Sequence, residues 1–242
     1  MGQSFFIWKG RDCRSMGVWM RSPVEIVRPQ ERANHIEIPG RSGDLTLIEG
    51  EDIFNSYIQT VGILVKGGYR VREVFSWLRG ADYVTFSGDP DRKQAARIIG
   101  AITLNKASHN ADWWQGEVQF YCQPLKQNLR EEPVTMTSSG AIRNNGDVAA
   151  KPLYKVTTSG AAVGIKVEGE NTPKENTIVL ANMTSGVVIW IDSETMEVMN
   201  ADKTESLTKQ SAGVFPVLGA GNNTITLTNI SSVEITKRER FL

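Results

Sequence analysis

In this chain apolar side chains recur at every second position in one short run after another, and at helical spacing only once. A period of two sends successive side chains to opposite faces of a strand, so such a chain must bury sheet faces against one another or under a small helical cover. Val24-Glu25-Ile26-Val27 and Ile36-Glu37-Ile38 alternate in this way and are expected strands. Tyr57 to Val65 is a longer one, with Val61, Ile63 and Val65 on one face and Gly67-Gly68 at its end. Tyr83 to Phe86 and Arg97 to Leu104 follow. Trp114 to Cys122 alternates most cleanly, placing Trp114, Gly116, Val118, Phe120 and Cys122 on a common face. The exception is Arg70 to Arg79. There Val71, Val74, Phe75 and Leu78 fall at i, i+3, i+4 and i+7, which predicts a helix closed by Gly80, with Trp77 at the edge of its stripe.

A change of texture divides the chain. Pro124 to Gly140 holds two prolines, several charges and Ser138-Ser139-Gly140, the composition of a connector. Beyond it Thr, Val, Ile, Asn and Gly dominate. Val163/Ile165/Val167, Val187/Ile189/Ile191, Ile225/Leu227 and Val233/Ile235 alternate with intervening residues, and turn-formers punctuate them, as in an antiparallel sandwich or jelly roll. The expectation is a mainly β protein with one helix and two domains, 1–133 and 134–242.

Charge narrows the function. The 27 basic and 27 acidic side chains cancel, and a division at 133 gives 17 − 16 = +1 and 10 − 11 = −1. Sequence-specific nucleic-acid binding, which needs a basic excess against phosphates, is disfavoured. No apolar run approaches the roughly 18 residues that span a bilayer, and Phe5-Phe6-Ile7-Trp8 is too short for a signal-peptide core. Neither membrane insertion nor secretion is expected, and the triplets beginning at Asn182, Asn222 and Asn229 are read as Asn/Thr-rich strand ends. Cys13 and Cys122 fit no metal spacing; they are either buried free thiols or a single bridge.

Residues with chemistry are sparse. His35 and His109 have no His or Cys neighbour at metal-ligand spacing. Gly40-Arg41-Ser42-Gly43 lacks the lysine and following helix of a phosphate cradle. Glu49, Glu51 and Asp52 stand at a strand end without calcium-loop spacing. No nucleophile elbow, Walker loop or zinc-helix motif is present, so neither a catalytic site nor a cofactor is expected. Aromatic residues are more suggestive. The consecutive Trp113-Trp114 pair sends its rings to opposite sides of a strand, and one of them is a candidate subunit contact. Trp190, between Ile189 and Ile191, points away from both, toward a packed surface or toward solvent as a stacking platform.

Several segments resemble one family. Ile38-Pro39-Gly40-Arg41-Ser42-Gly43-Asp44-Leu45 is similar to the I-P-G-R-x-G-x-L segment of the distal tail (Dit) proteins of long-tailed, siphovirus-type bacteriophages. Tyr121-Cys122-Gln123-Pro124 resembles the close of their N-terminal domain. Phe215-Pro216-Val217-Leu218 with Gly221-Asn222-Asn223-Thr224-Ile225 resembles their C-terminal signature, and Lys237 to Leu242 their basic finish. The resemblance implies a tail-tube-like β-barrel or sandwich domain with an added helix, then a galectin-like β-sandwich. It implies a structural, non-enzymatic virion protein made in the host cytoplasm: a homo-hexameric ring at the distal end of the tail, between tail tube and baseplate or tail tip, serving host attachment and DNA passage. Its implied partners are the tail tube protein, the tape measure protein and the tail-associated or baseplate hub protein. Arg41 and Asp44 of the turn, with Trp113 and Trp114, are the candidate ring contacts. The competing expectations are a carbohydrate-binding β-sandwich protein, which needs an exposed aromatic platform, and a glycan-cleaving enzyme, which needs two convergent carboxylates.

Overall fold

The computed structural model describes residues 4–21, 23–48, 50, 52–108 and 111–242. Glu49, Glu51 and His109, considered above, lie outside the described residues. The chain divides into two compact units, Met1–Leu129 with Leu242, and Arg130–Phe241.

In the first unit the strands are β1 (Phe6–Trp8), β2 (Arg11–Asp12), β3 (Val18–Met20), β4 (Ala33–Ile36), β5 (Leu45–Ile48), β6 (Tyr57–Lys66), β7 (Ala81–Phe86), β8 (Arg92–Ile99), β9 (Leu104–Ser108) and β10 (Ala111–Asn128). The helix α1 spans Val71–Trp77, entered through a 3-10 turn at Gly68–Arg70. An antiparallel sheet in the order β2-β1-β7-β8-β10-β6-β3 forms a curled half-barrel. Its inner face carries the alternating set: Val61, Ile63 and Val65 from β6, and Val118, Phe120 and Cys122 from β10. Helix α1 closes over this core with Val74, Trp77 and Leu78. Phe120 is the hub, with its ring edge-on to Phe6, Trp8 and Phe86 at centroid distances of 5.4, 5.5 and 5.6 Å.

Strand β10 organises the unit because two lines of chain run along it. β6 takes one edge from Trp113 to Cys122. β8 and β9 share the other as one interrupted strand, Gln119 opposite Ile99 and Gly116 opposite Leu104. Where that strand breaks, the Thr103 carbonyl oxygen comes to 2.1 Å from the place a Cβ on residue 116 would occupy, so only glycine fits there.

In the second unit two five-stranded antiparallel sheets carry a common core. The strands are β11 (Val134–Met136), β12 (Gly140–Asn144), β13 (Leu153–Thr158), β14 (Val163–Gly169), β15 (Thr177–Leu180), β16 (Val188–Asp192), β17 (Glu197–Asn200), β18 (Ser211–Gly213), β19 (Gly221–Thr228) and β20 (Ile230–Thr236). One sheet runs β11-β20-β13-β16-β17 and the other β12-β19-β14-β15-β18. Tyr154, Val156, Ile189, Ile191, Val233 and Ile235 from the first interleave with Val163, Ile165, Val167, Ile178, Leu180 and Ile225 from the second, the two inner faces of a β-sandwich.

Several sequence expectations are corrected. Val24–Val27 forms no strand, because Pro23 and Pro29 flank it and lack the N–H groups a ladder needs; Ile26 is 75% exposed. Ile38 falls outside β4, whose pairing ends at Ile36. Arg97 to Leu104 is not continuous, since Gly100 at φ +71° ends β8 and β9 begins four residues later. The connector is shorter than Pro124 to Gly140. β10 runs through Pro124 to Asn128, because a register shift between Cys122 and Lys126 lets the proline sit where no ladder bond is required. Trp77 is in the core rather than at the helix edge, while Phe75 is half-buried. Val187 precedes β16 and is exposed. Of the two states left open for Cys13 and Cys122, the structure has buried free thiols.

Candidate assembly surfaces

The described residues between 23 and 55 form an arm from which only Val24 packs against the core cluster of its own unit. β4 and β5 pair only with each other, Ala33 opposite Ile48, Asn34 opposite Leu47, His35 opposite Thr46 and Ile36 opposite Leu45. The Pro39–Asp44 turn joins them, with Gly40 at φ +83° and Gly43 at +80°, a left-handed backbone that glycine adopts without strain. Arg41 N–H donates to the Ile38 carbonyl oxygen at 3.1 Å, closing the tip. At the base, Arg32 N–H donates to Ile53 O and Asn55 N–H to Gln30 O, both at 2.8 Å, and Phe54 is buried. His35 is exposed on the hairpin, its Nδ1 3.2 Å from Thr46 Oγ1.

This hairpin breaks the usual rule for water-facing strands. Ile36, Leu45 and Leu47 share one face by register and all are exposed, and Ile48 on the other face is 59% exposed. A lone two-stranded hairpin is marginal in water, and an aliphatic face left exposed on one is uncommon. Arg41 and Asp44 stand exposed at its tip.

Trp113 and Trp114 open β10 and do point to opposite sides. Trp113 lies on the outer face, edge-on to Trp19 at 5.2 Å, with Lys66 Nζ 5.8 Å from its centroid. Trp114 turns inward and packs against the core, and its buried indole N–H meets no acceptor. No strand pairing joins these tryptophans to the arm. Sequence reasoning missed the rest of the outer face, where Ile58, Tyr83 and Tyr121 are exposed beside Lys93 and Arg97. Alternation had assigned their facing partners to the core but says nothing about what lies outside.

In the second unit the stretch from Phe215 into the start of β19 is held by buried polar side chains in addition to the Ala150–Leu218 bridge and the β19 ladder. Asn176 Nδ2 donates to Val167 O and Val217 O, and its Oδ1 accepts from Val217 N–H at 2.8 Å. Asn144 Nδ2 donates to Val148 O and Leu218 O, while Oδ1 accepts from Gly146 N–H. Asn223 clasps Gly219 through both its N–H and its carbonyl. Tyr154 and Ser193 hydroxyls donate to Pro216 O. Burial pushes the Tyr154 phenol far above its usual pKa. These residues explain the signature segment as a structural requirement: each buried amide is satisfied on both its donor and acceptor sides.

Trp190 is no open platform. Its Nε1 donates to Ala201 O at 3.0 Å, and Lys203 and Lys155 hold their ammonium groups 3.9 and 5.5 Å from its ring centroid. Nearby, Arg238 makes a two-pronged ion pair with Asp192, at 2.6 and 2.9 Å. Burial alone would raise the Asp192 carboxyl pKa, but the Arg238 guanidinium and the Glu194 and Thr195 N–H groups together hold it below its usual value. Among the described residues no group of three or more His, Cys, Asp or Glu could hold a metal ion.

The chain therefore combines a curled half-barrel unit that carries an exposed arm with a separately cored β-sandwich unit. Residues 145–241 match the family model of the siphovirus-type tail component, C-terminal domain (SPP1_Dit). The crystal structure of SPP1 Dit (gp 19.1), described as a paradigm of the hub adsorption apparatus in Gram-positive-infecting phages, is similar over 100% of both chains, with a TM-score of 0.74 and 18% identity. At that identity the likeness is one of fold. No curated protein matches the chain. Residues 145–241 thus carry the siphovirus-type tail-component C-terminal domain, and the whole chain shares the fold of SPP1 Dit.

Proposed function

We propose that the chain forms the distal hub ring of a phage tail, a homo-hexamer seated between the tail tube and the baseplate or tail tip. The observation that carries this reading is the coincidence of the tail-component domain over 145–241 with a Dit fold over the whole chain. In it, residues 1–133 make the ring and 134–242 the galectin-like domain outside it. The tail tube protein and tape measure protein lie on one side and the tail-associated or baseplate hub protein on the other. The assembled ring serves host attachment and DNA passage and catalyses nothing.

Head-to-tail closure of a ring needs two different complementary faces on each subunit. Arg41 and Asp44 at the exposed arm tip suit one such face, and Trp113, solvent-facing beside Trp19, suits the other; Trp114 acts from behind by seating Trp113's strand. A glycan-binding role for the second unit lacks support, since Lys203 occupies a face of its one tryptophan. Light scattering with negative-stain imaging tests the hub reading. The expected species is a ring of six 26.8 kDa chains, about 160 kDa. A stable two-fold dimer with no ring under any condition overturns it.

A further inference from the structure

Just past the ends of β12 and β20, three polar side chains of the second unit meet at one oxygen atom. Glu239 is 5% exposed, and its Oε1 accepts from the backbone N–H of Asn145 at 2.9 Å, from Asn145 Nδ2 at 3.1 Å and from Lys237 Nζ at 2.5 Å. The two side-chain nitrogens therefore lie within 2.5 + 3.1 = 5.6 Å of each other. Lys237 Nζ also donates to the Arg143 carbonyl oxygen at 3.1 Å, which holds the ammonium at this place. At the other end of the Asn145 amide, Arg143 Nε–H donates to Oδ1 at 3.3 Å.

An amine, a primary amide and a buried carboxylate shared between them are the parts that transamidation needs. They supply the nucleophile, the electrophile and a base that moves protons from one nitrogen to the other.

We propose that Lys237 and Asn145 join in an intramolecular isopeptide bond, formed by the folded protein itself with Glu239 as the proton carrier. Glu239 takes a proton from Lys237 Nζ, and the freed electron pair attacks Asn145 Cγ. Charge that develops on Oδ1 meets the Arg143 N–H. Glu239 passes its proton to Nδ2, the Cγ–Nδ2 bond breaks and ammonia departs. A second Nζ proton leaves by the same carboxylate, so the ammonium and the amide become one secondary amide and one ammonium ion, with Glu239 regenerated. The competing attack on this amide, by the Gly146 backbone nitrogen, is hindered because that N–H is buried and donates to Asn144 Oδ1 at 2.9 Å. The reaction happens once per chain and turns over no substrate, so it stands beside the hub role. The bond ties the chain after β12 in one sheet to the chain after β20 in the other, 237 − 145 = 92 residues later, and closes the sandwich as a disulfide would.

Mass spectrometry of the intact full-length protein reads the reaction directly. The expected chain is lighter than its sequence by one ammonia, and digestion yields a branched peptide in which Lys237 carries Asn145. Lys237→Arg and Glu239→Gln each show no loss from their own sequence masses. A wild-type chain at full sequence mass overturns the proposal. So does a loss that persists in either variant, the trace that cyclisation onto Gly146 leaves.

Discussion

Trp8 and Trp77 exchange hydrogen bonds: the indole N–H of each donates to the other's backbone carbonyl oxygen, both at 3.2 Å. The two bonds tie β1 to the end of α1 across the mouth of the half-barrel, and Phe6 stacks on Trp77 at 5.6 Å. The helix is only two turns long, so this clasp and its packing, not helix propensity, hold it in place.

Trp77→Phe removes one indole donor and with it one of the two bonds of the clasp. The expected cost is about 1–2 kcal/mol in the unfolding of the first unit. Trp114→Phe removes the same ring volume but an indole N–H that makes no bond, so it costs less than Trp77→Phe by about 1 kcal/mol. Denaturant unfolding followed by a probe in the first unit separates the two, and equal losses contradict the hydrogen-bond assignment.

Asn176→Ala strands Val217 N–H and the Val167 and Val217 carbonyls inside the second unit. A loss of at least about 2 kcal/mol is expected, confined to that unit's melting transition. Hydrogen exchange at Val217 N–H gives the local readout, and an amide still protected in the variant rejects this role.

Acid weakens the second unit through Asp192. Its folded-state pKa is depressed below the ordinary carboxylate value, so folding favours the ionised form. The resulting stability is fully present above the unfolded-state pKa and is lost as pH falls through the folded one. Asp192→Asn therefore lowers stability at neutral pH by about 1–2 kcal/mol, discounted for partial exposure. It also flattens the acid limb of the stability curve below pH 4 or so. Variant and wild-type curves that remain parallel down to low pH refute the linkage.

Brief trypsin treatment is expected to cut after Arg130. That residue is exposed in the short stretch between Asn128, the last residue of β10, and Val134, the first of β11. Two fragments that stay folded are the expected products, detected by mass spectrometry of the intact pieces. First cleavage inside β13 to β20 would contradict the division into two units.

Periodicity served wherever a strand has one buried face. β6 and β10 were legible because Val61, Ile63, Val65, Val118 and Phe120 face a single core. It misled at Val24–Val27, where only Val24 packs against the core cluster and no strand partner is present, and the flanking prolines were the available warning. It also overran Gly100 and stopped short at Pro124, since a bulge that accommodates proline leaves no periodic trace. The asparagine clasps were invisible for another reason: Asn144, Asn176 and Asn223 act at one locus from three distant positions, and hydrogen bonding to loop carbonyls has no sequence period.

Both sulfhydryls belong to one unit. Cys13 and Cys122 line the half-barrel core, and burial raises both pKa values, that of Cys122 to about 12. Folded, they present neither an accessible sulfur nor a thiolate, so an alkylating reagent reacts only when the half-barrel opens. The sandwich has no cysteine at all. Thiol labelling is thereby a clock that ticks for one half of the molecule alone, and its slowing when copies assemble would measure how much a neighbour's embrace restrains that half from breathing.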